Sequence, residues 1–96
     1  MEDYVSVYVY ISCPTKEEAL KHCKYLVEKE ICGTAKIHEN TTLVYPGEKG
    51  VEADGVVLMV LKSTKENLMK IQEYILENHS WGTPCVEVVP ITGDYC

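Results

Sequence analysis

Between residues 28 and 37, EKEICGTAKI, a charged helical pattern stops, the chain reverses around Gly33, and small or β-favouring residues begin a strand. Glycine just past the last periodic residue is the usual mark of a helix end, so the spacing predicts a helix-to-strand reversal there. The same strand, helix, strand order returns later in the chain. That repetition narrows the fold more than any single motif does.

Residues 4–11 alternate strictly, with Val5, Val7, Val9 and Ile11 on one face and Tyr4, Ser6, Tyr8 and Tyr10 on the other, which predicts a half-buried strand. Cys13 and Pro14 end it. Thr15 with Glu18 three residues on has the spacing of a capping box, opening a helix with Ala19, Leu20, Cys23, Leu26 and Val27 on one stripe and running to about Lys29. A second strand follows from about Thr34. Its polar middle, residues 38–42, separates it from Leu43, Val44 and Tyr45 and predicts a long, bent strand.

Residues 46–50, PGEKG, read as a turn, and the return leg enters the unbroken apolar run VVLMVL at 56–61, so the two legs form a hairpin. Ser63 and Glu66 repeat the capping-box spacing. Leu68, Ile71 and Ile75, with Met69 and Leu76 beside them, supply the inward stripe of a second helix ending near Asn78. Residues 85–91 form a last short strand, in which Pro90 indicates an edge or an end. Right-handed crossovers convert this order into one α+β domain over residues 1–96, a ferredoxin-like βαββαβ sandwich. Its antiparallel sheet has the order 4-1-3-2, with both helices on one face.

The run at 56–61 is apolar on both faces, as in a strand buried on both sides, yet two helices cover only one side of such a sheet. Tyr8 and Tyr10 share the uncovered side. A self-association surface accounts for both observations, and an exposed tyrosine-rich face is the plainer alternative.

The formal net charge of −6 over 96 residues disfavours phosphate backbones and anionic lipid, so neither nucleic acid nor membrane is an expected partner. No stretch approaches the roughly 18 consecutive apolar residues of a membrane span, and the acidic start Glu2-Asp3 is unlike a signal peptide, so a cytoplasmic protein is expected. The five cysteines form an odd set without a CxxC pair, which suggests reduced thiols rather than a disulfide framework or zinc ribbon.

Chemistry-bearing residues are few. In the 4-1-3-2 order, Cys13 closes the first strand where Cys85 opens the fourth, and His79 lies in the loop entering that edge. Two thiols and an imidazole are soft ligands suited to Cu(I) or Zn. Cys13, His79 and Cys85 are therefore the candidate metal ligands. The alternative is two buried thiols packing as small hydrophobes, with His79 capping the helix end.

Cys23 and Cys32 read as core residues, and Cys96 as a mobile terminus. His22 and His38 have no Cys, His or carboxylate at i+3 or i+4, so both read as solvated. Glu17 and Glu18 are explained by the helix start, and Glu28 and Glu30 by a solvated face. Glu52 and Asp54 would hold a hard cation only with oxygens from a neighbouring subunit. Trp81 reads as a wall between subunits or a plug over the helix end. No phosphate-cradling loop, HExxH or nucleophile elbow is present, so an enzyme is not expected.

Several segments, in order, resemble the CutA family: Ser12-Cys13-Pro14, residues 26–33 (LVEKEICG), residues 59–63 (MVLKS), His79, Trp81, Pro84 and Val86, then Val89-Pro90-Ile91 and Gly93. The chain departs from the family pattern where two tryptophans are absent from the hairpin, residues 44–49. Ser80 and Cys85 replace a proline and an acidic residue, and the chain ends before a terminal helix found in relatives. The resemblance implies a homotrimer related in architecture to PII-type proteins and associated with divalent-cation tolerance. It implies copper or another divalent cation as ligand, with none required for folding, and no catalytic residues. A PII-like sensor or scaffold, binding a small molecule or protein between subunits, is the competing function.

Overall fold

A computed structural model describes residues 5–81 and 85–94; Tyr4, Pro84 and Cys96 lie outside them. Strand β1 (Ser6–Cys13) alternates half-buried and buried residues along its length, because Val7, Val9, Ile11 and Cys13 all turn toward the helices. Helix α1 (Lys16–Glu28) starts at Thr15, whose Oγ1 accepts from the Glu18 amide at 3.2 Å. The Glu18 carboxylate does not return to the cap. It turns toward two histidines, so only half of the expected capping box is made.

The end of α1 differs from the glycine-based expectation. The left-handed residue is Glu30, at φ 61°, and Gly33 lies beyond the reversal. The Ile31 amide donates back to Leu26 O at 2.9 Å and the Glu30 amide to Val27 O at 3.0 Å, the paired bonds of a Schellman ending. Ile31 then packs on the core beside Leu26, and the Gly33 amide donates to Lys62 O as β2 begins.

Strands β2 (Thr34–Gly47) and β3 (Gly50–Thr64) form the long hairpin. Their register shifts between His38 and Thr41, where Asn40 takes φ 57°, so the polar middle of β2 is a bulge that bends the strand. Gly50, at φ 118°, closes the turn in a backbone region that side chains avoid. Leu43, Val44 and Val51 are exposed in the outer half of the hairpin. Neighbouring residues of a strand point to opposite faces, so Leu43 and Val44 mark both sides of that half as open.

The second capping box is not formed. β3 continues to Thr64, and Ser63 is buried within it, its hydroxyl donating to Ile31 O at 2.6 Å. A 3-10 turn over Lys65–Asn67 leads into α2 (Leu68–Asn78) without a side-chain cap. Ile71 and Ile75 are buried, whereas Met69 and Leu76 point outward, since residues one position from the inward stripe lie about 100° off it. The last strand, β4 (Glu87–Pro90), is shorter than expected, pairs with β1 at the edge of the sheet, and ends at Pro90.

All pairings are antiparallel in the order β2-β3-β1-β4, which is 4-1-3-2 read from the other edge. The core, including Val7, Val9, Ile11, Leu26, Met59, Leu61, Ile71 and Ile75, lies between the sheet and the two helices. Burying each such large aliphatic chain contributes about 1.5–3 kcal/mol. On the helix-free face Val56 and Val60 are 5% and 9% exposed, and Tyr8, Tyr10 and Leu58 are half-buried. Tyr8, Lys36 and Val60 line a hollow of about 480 Å³ there. No helix among the described residues is long and apolar enough to cross a membrane.

Candidate functional site

The last residue of β1, the first turn of α1 and the residues after α2 converge at one end of the sheet. β1 delivers Cys13 to the core side, where it is fully buried. α1 carries Glu18 and His22 four residues apart, hence on one face. α2 ends at Asn78 and hands the chain to His79, whose side chain is buried.

The hydrogen bonds fix the proton positions. His79 Nε2 lies 2.8 Å from Ser12 O, an acceptor only, so that nitrogen carries the proton. Its Nδ1 accepts the Trp81 amide at 3.1 Å. Both His79 nitrogens are thus engaged, and Nε2 also meets Cys13 Sγ at 3.6 Å. Trp81 is partly exposed and tilts over the His79 ring at 5.8 Å, the plug-like arrangement rather than a free surface ring.

His22 is 1% exposed, contrary to the solvated expectation. Its Nε2 donates to Glu18 Oε2 at 3.3 Å, and its Nδ1 lies 3.0 Å from the Tyr74 hydroxyl. The Tyr74 ring meets His22 edge-on and stacks on Tyr25 at 4.4 Å. Burial holds His22 below the usual imidazole range, against the raising effect of Glu18. For Glu18 burial pulls upward, but hydrogen bonds from Ser80 and His22 and the nearness of His79 leave its carboxyl below the ordinary value. Burial, then the Glu18 charge and Cys23, push the Cys13 thiol up to about 12, so it is protonated at neutral pH.

Cys13 and His79 are therefore brought together as the topology implied. Cys85 is not part of this cluster: it is exposed, two residues before β4 begins at Glu87. The ligand atoms of Cys13, Glu18 and His22 lie within 4.8 Å of one another. Sequence reasoning missed Glu18 and His22, although the signal is present four residues back from the histidine rather than ahead of it. On the hairpin, Asp54 accepts the Tyr45 hydroxyl and Glu52 is exposed. A thiol, a carboxylate and an imidazole suit a soft or borderline transition ion, and an oxygen-seeking ion poorly.

Over residues 7–95 the chain matches the family described as CutA1 divalent ion tolerance protein. It belongs to that family. Among relatives, the chloroplastic CutA of Arabidopsis thaliana is 28% identical over 92% of this chain, which spans 48% of that protein's length. The divalent-cation tolerance protein CutA of Archaeoglobus fulgidus is 29% identical over 88% of this chain and 81% of its own length. CutA1 of Oryza sativa superposes with a TM-score of 0.89 at 25% identity, covering 96% of this chain and 84% of that one. The Thermus thermophilus divalent cation tolerance protein gives 0.87 at 26% identity, covering 94% and 87%. The CutA1 family thus accounts for the sheet order and the helix placement, while the Cys13 cluster is argued from this chain's own side chains.

Proposed function

We propose that this chain acts as a non-enzymatic homotrimer in divalent-cation tolerance, binding copper or another soft or borderline divalent cation at the Cys13 end of its sheet. The observation that carries the reading is the buried gathering of thiol, carboxylate and imidazole donors around Cys13. Ions of this class prefer such nitrogen and sulfur donors. Support for self-association comes from the helix-free face, where Tyr8, Tyr10 and Leu58 stay partly exposed and no second layer lies over them among the described residues. Free, buried Cys13, Cys23 and Cys32 are in keeping with a reducing, cytoplasmic setting.

A PII-like sensor or scaffold is the second reading. The hollow of about 480 Å³ beside Tyr8 and Lys36 favours it. Sedimentation equilibrium of the full chain, followed by calorimetric titration with copper and zinc, tests the proposal. A species three times the 10.8 kDa chain mass that takes up the ion is expected. A monomer at micromolar concentration, or no uptake, would contradict it.

A further inference from the structure

Resting on the sensor reading, we propose that the hollow on the helix-free face takes a small dicarboxylate across Lys36 and Lys62, and that the Asp94 carboxylate is a built-in competitor for one half of that site.

Strand register places the two lysines. Lys36 of β2 stands opposite Val60 of β3, and Thr34 stands opposite Lys62, so Lys36 and Lys62 are diagonal neighbours on one face of the sheet. Such neighbours lie about 7–8 Å apart, within reach of one ligand a few bonds long. Tyr8, opposite Lys62 on the β1 side, joins Val60 in supplying apolar surface, and Ser6, Thr34 and Thr64 bring hydroxyls to the lining. At about 480 Å³ the hollow falls in the size range of small-molecule sites.

Charge selects the ligand. The chain has 15 acidic against 9 basic residues, yet among the described residues this hollow is lined by two lysines and by no acidic side chain. A net charge of −6 repels dianions from the molecule at large, so their capture depends on this local pair. Two ammonium groups offset two carboxylates, whereas a monocarboxylate answers only one of them. The carbon chain between the carboxylates suits Val60 and the Tyr8 ring.

Asp94 shows that the site accepts a carboxylate. Beyond β4 the Ile91 amide donates to Ser6 O at 2.9 Å, which keeps the chain beside the hollow, and Asp94 Oδ2 then meets Lys62 Nζ at 2.9 Å. Both members of that ion pair are partly exposed, and pairs of this kind are weak enough to exchange. An incoming dicarboxylate replaces Asp94 on Lys62 and gains Lys36 as well. Ligand binding therefore detaches the Asp94 carboxylate from the sheet, a local change by which occupancy can be sensed. Assembly over the helix-free face would wall the hollow in and, by shutting out water, strengthen the pull of the two lysines.

Amide NMR of the full chain titrated with succinate tests this. Saturable shifts are expected at Lys36, Val60, Lys62 and Asp94, with butyrate, which has the same chain length and one carboxylate, binding at least about tenfold more weakly. Lys36→Gln and Lys62→Gln should each weaken succinate binding at least about tenfold, as loss of a charge-assisted hydrogen bond does. Asp94→Asn should tighten it about twofold to fivefold, because an exposed ion pair no longer competes for Lys62. A gain in affinity cannot arise from unfolding, so this variant keeps the test decisive if a lysine variant misfolds. Succinate binding that is unchanged in both lysine variants, or no tighter in Asp94→Asn, overturns the proposal. If 1,4-butanediol, the neutral analogue, shifts the same amides as strongly as succinate, the dicarboxylate assignment falls while the sensor reading stands. A wild-type chain whose amides there respond to neither compound overturns both.

Discussion

Replacing Glu30 by glycine should stabilise the protein. Glu30 occupies the left-handed position of the Schellman ending at φ 61°, with its own amide bonded to Val27 O and the next to Leu26 O. A residue with a Cβ gives up about 1–2 kcal/mol in that conformation. Glycine removes this strain but returns about 0.4–1 kcal/mol through the greater freedom of the unfolded chain. The carboxylate also stands at the negative end of α1, which has no basic residue in its last turn, so losing it adds about 0.3 kcal/mol. The net gain is about 1 kcal/mol, or a rise in Tm of about 4–8 °C for a domain of this size. Urea and thermal unfolding at one fixed protein concentration would measure it, with Glu30→Ala as the comparison because alanine removes the charge and keeps the strain. If Glu30→Ala stabilises as much as Glu30→Gly, or if Glu30→Gly lowers the midpoint, the conformational argument is refuted.

Ser63→Ala should cost about 1 kcal/mol in the same assay, because the Ile31 carbonyl loses its 2.6 Å partner from buried Ser63 at the point where α1 hands over to β2. Stability should fall as pH rises past 9, since burial raises the Cys32 and Cys23 thiols from 9.0 to about 11 and the unfolded chain releases those protons first. At pH 10 the loss is about 1.4 kcal/mol per thiol relative to pH 8, by the linkage between proton binding and folding. Cys32→Ala should remove that share of the alkaline slope, and an unchanged slope would count against the buried-thiol account.

The fold was readable because its strands and helices carry distinct periods. Strict alternation marked β1, and the apolar run at 56–61 marked a strand apolar on both faces, one against the helices and the other on the helix-free side. The polar stretch at 38–42 announced the bulge at Asn40. Local motifs were less dependable. Thr15 and Glu18 have the spacing of a capping box, but the Glu18 carboxylate makes its contacts with His22, His79 and Ser80 instead. Ser63 and Glu66 have the same spacing, yet β3 runs on through Ser63 to pair with Val7. Gly33 looked like the helix terminator because composition cannot reveal that Glu30 takes the left-handed turn.

At the candidate site, Cys13 and His79 were legible because topology alone brings the end of β1 near the end of α2. Cys85 was read as opening the last strand at the same sheet edge as Cys13, whereas β4 begins only at Glu87 and Cys85 is exposed. His22 was hidden for another reason. It lies next to Cys23 on the inward side of α1, and its polar partners come from behind it on the helix and from Tyr74 on α2, which sequence spacing does not connect.

The most direct measurement is anomalous diffraction from crystals of the full chain grown with zinc. The account predicts one peak at the Cys13 end of the sheet, about 2.3 Å from Cys13 Sγ. A peak centred on Cys85 or on the hairpin carboxylates, with Cys13 still bare, would contradict it.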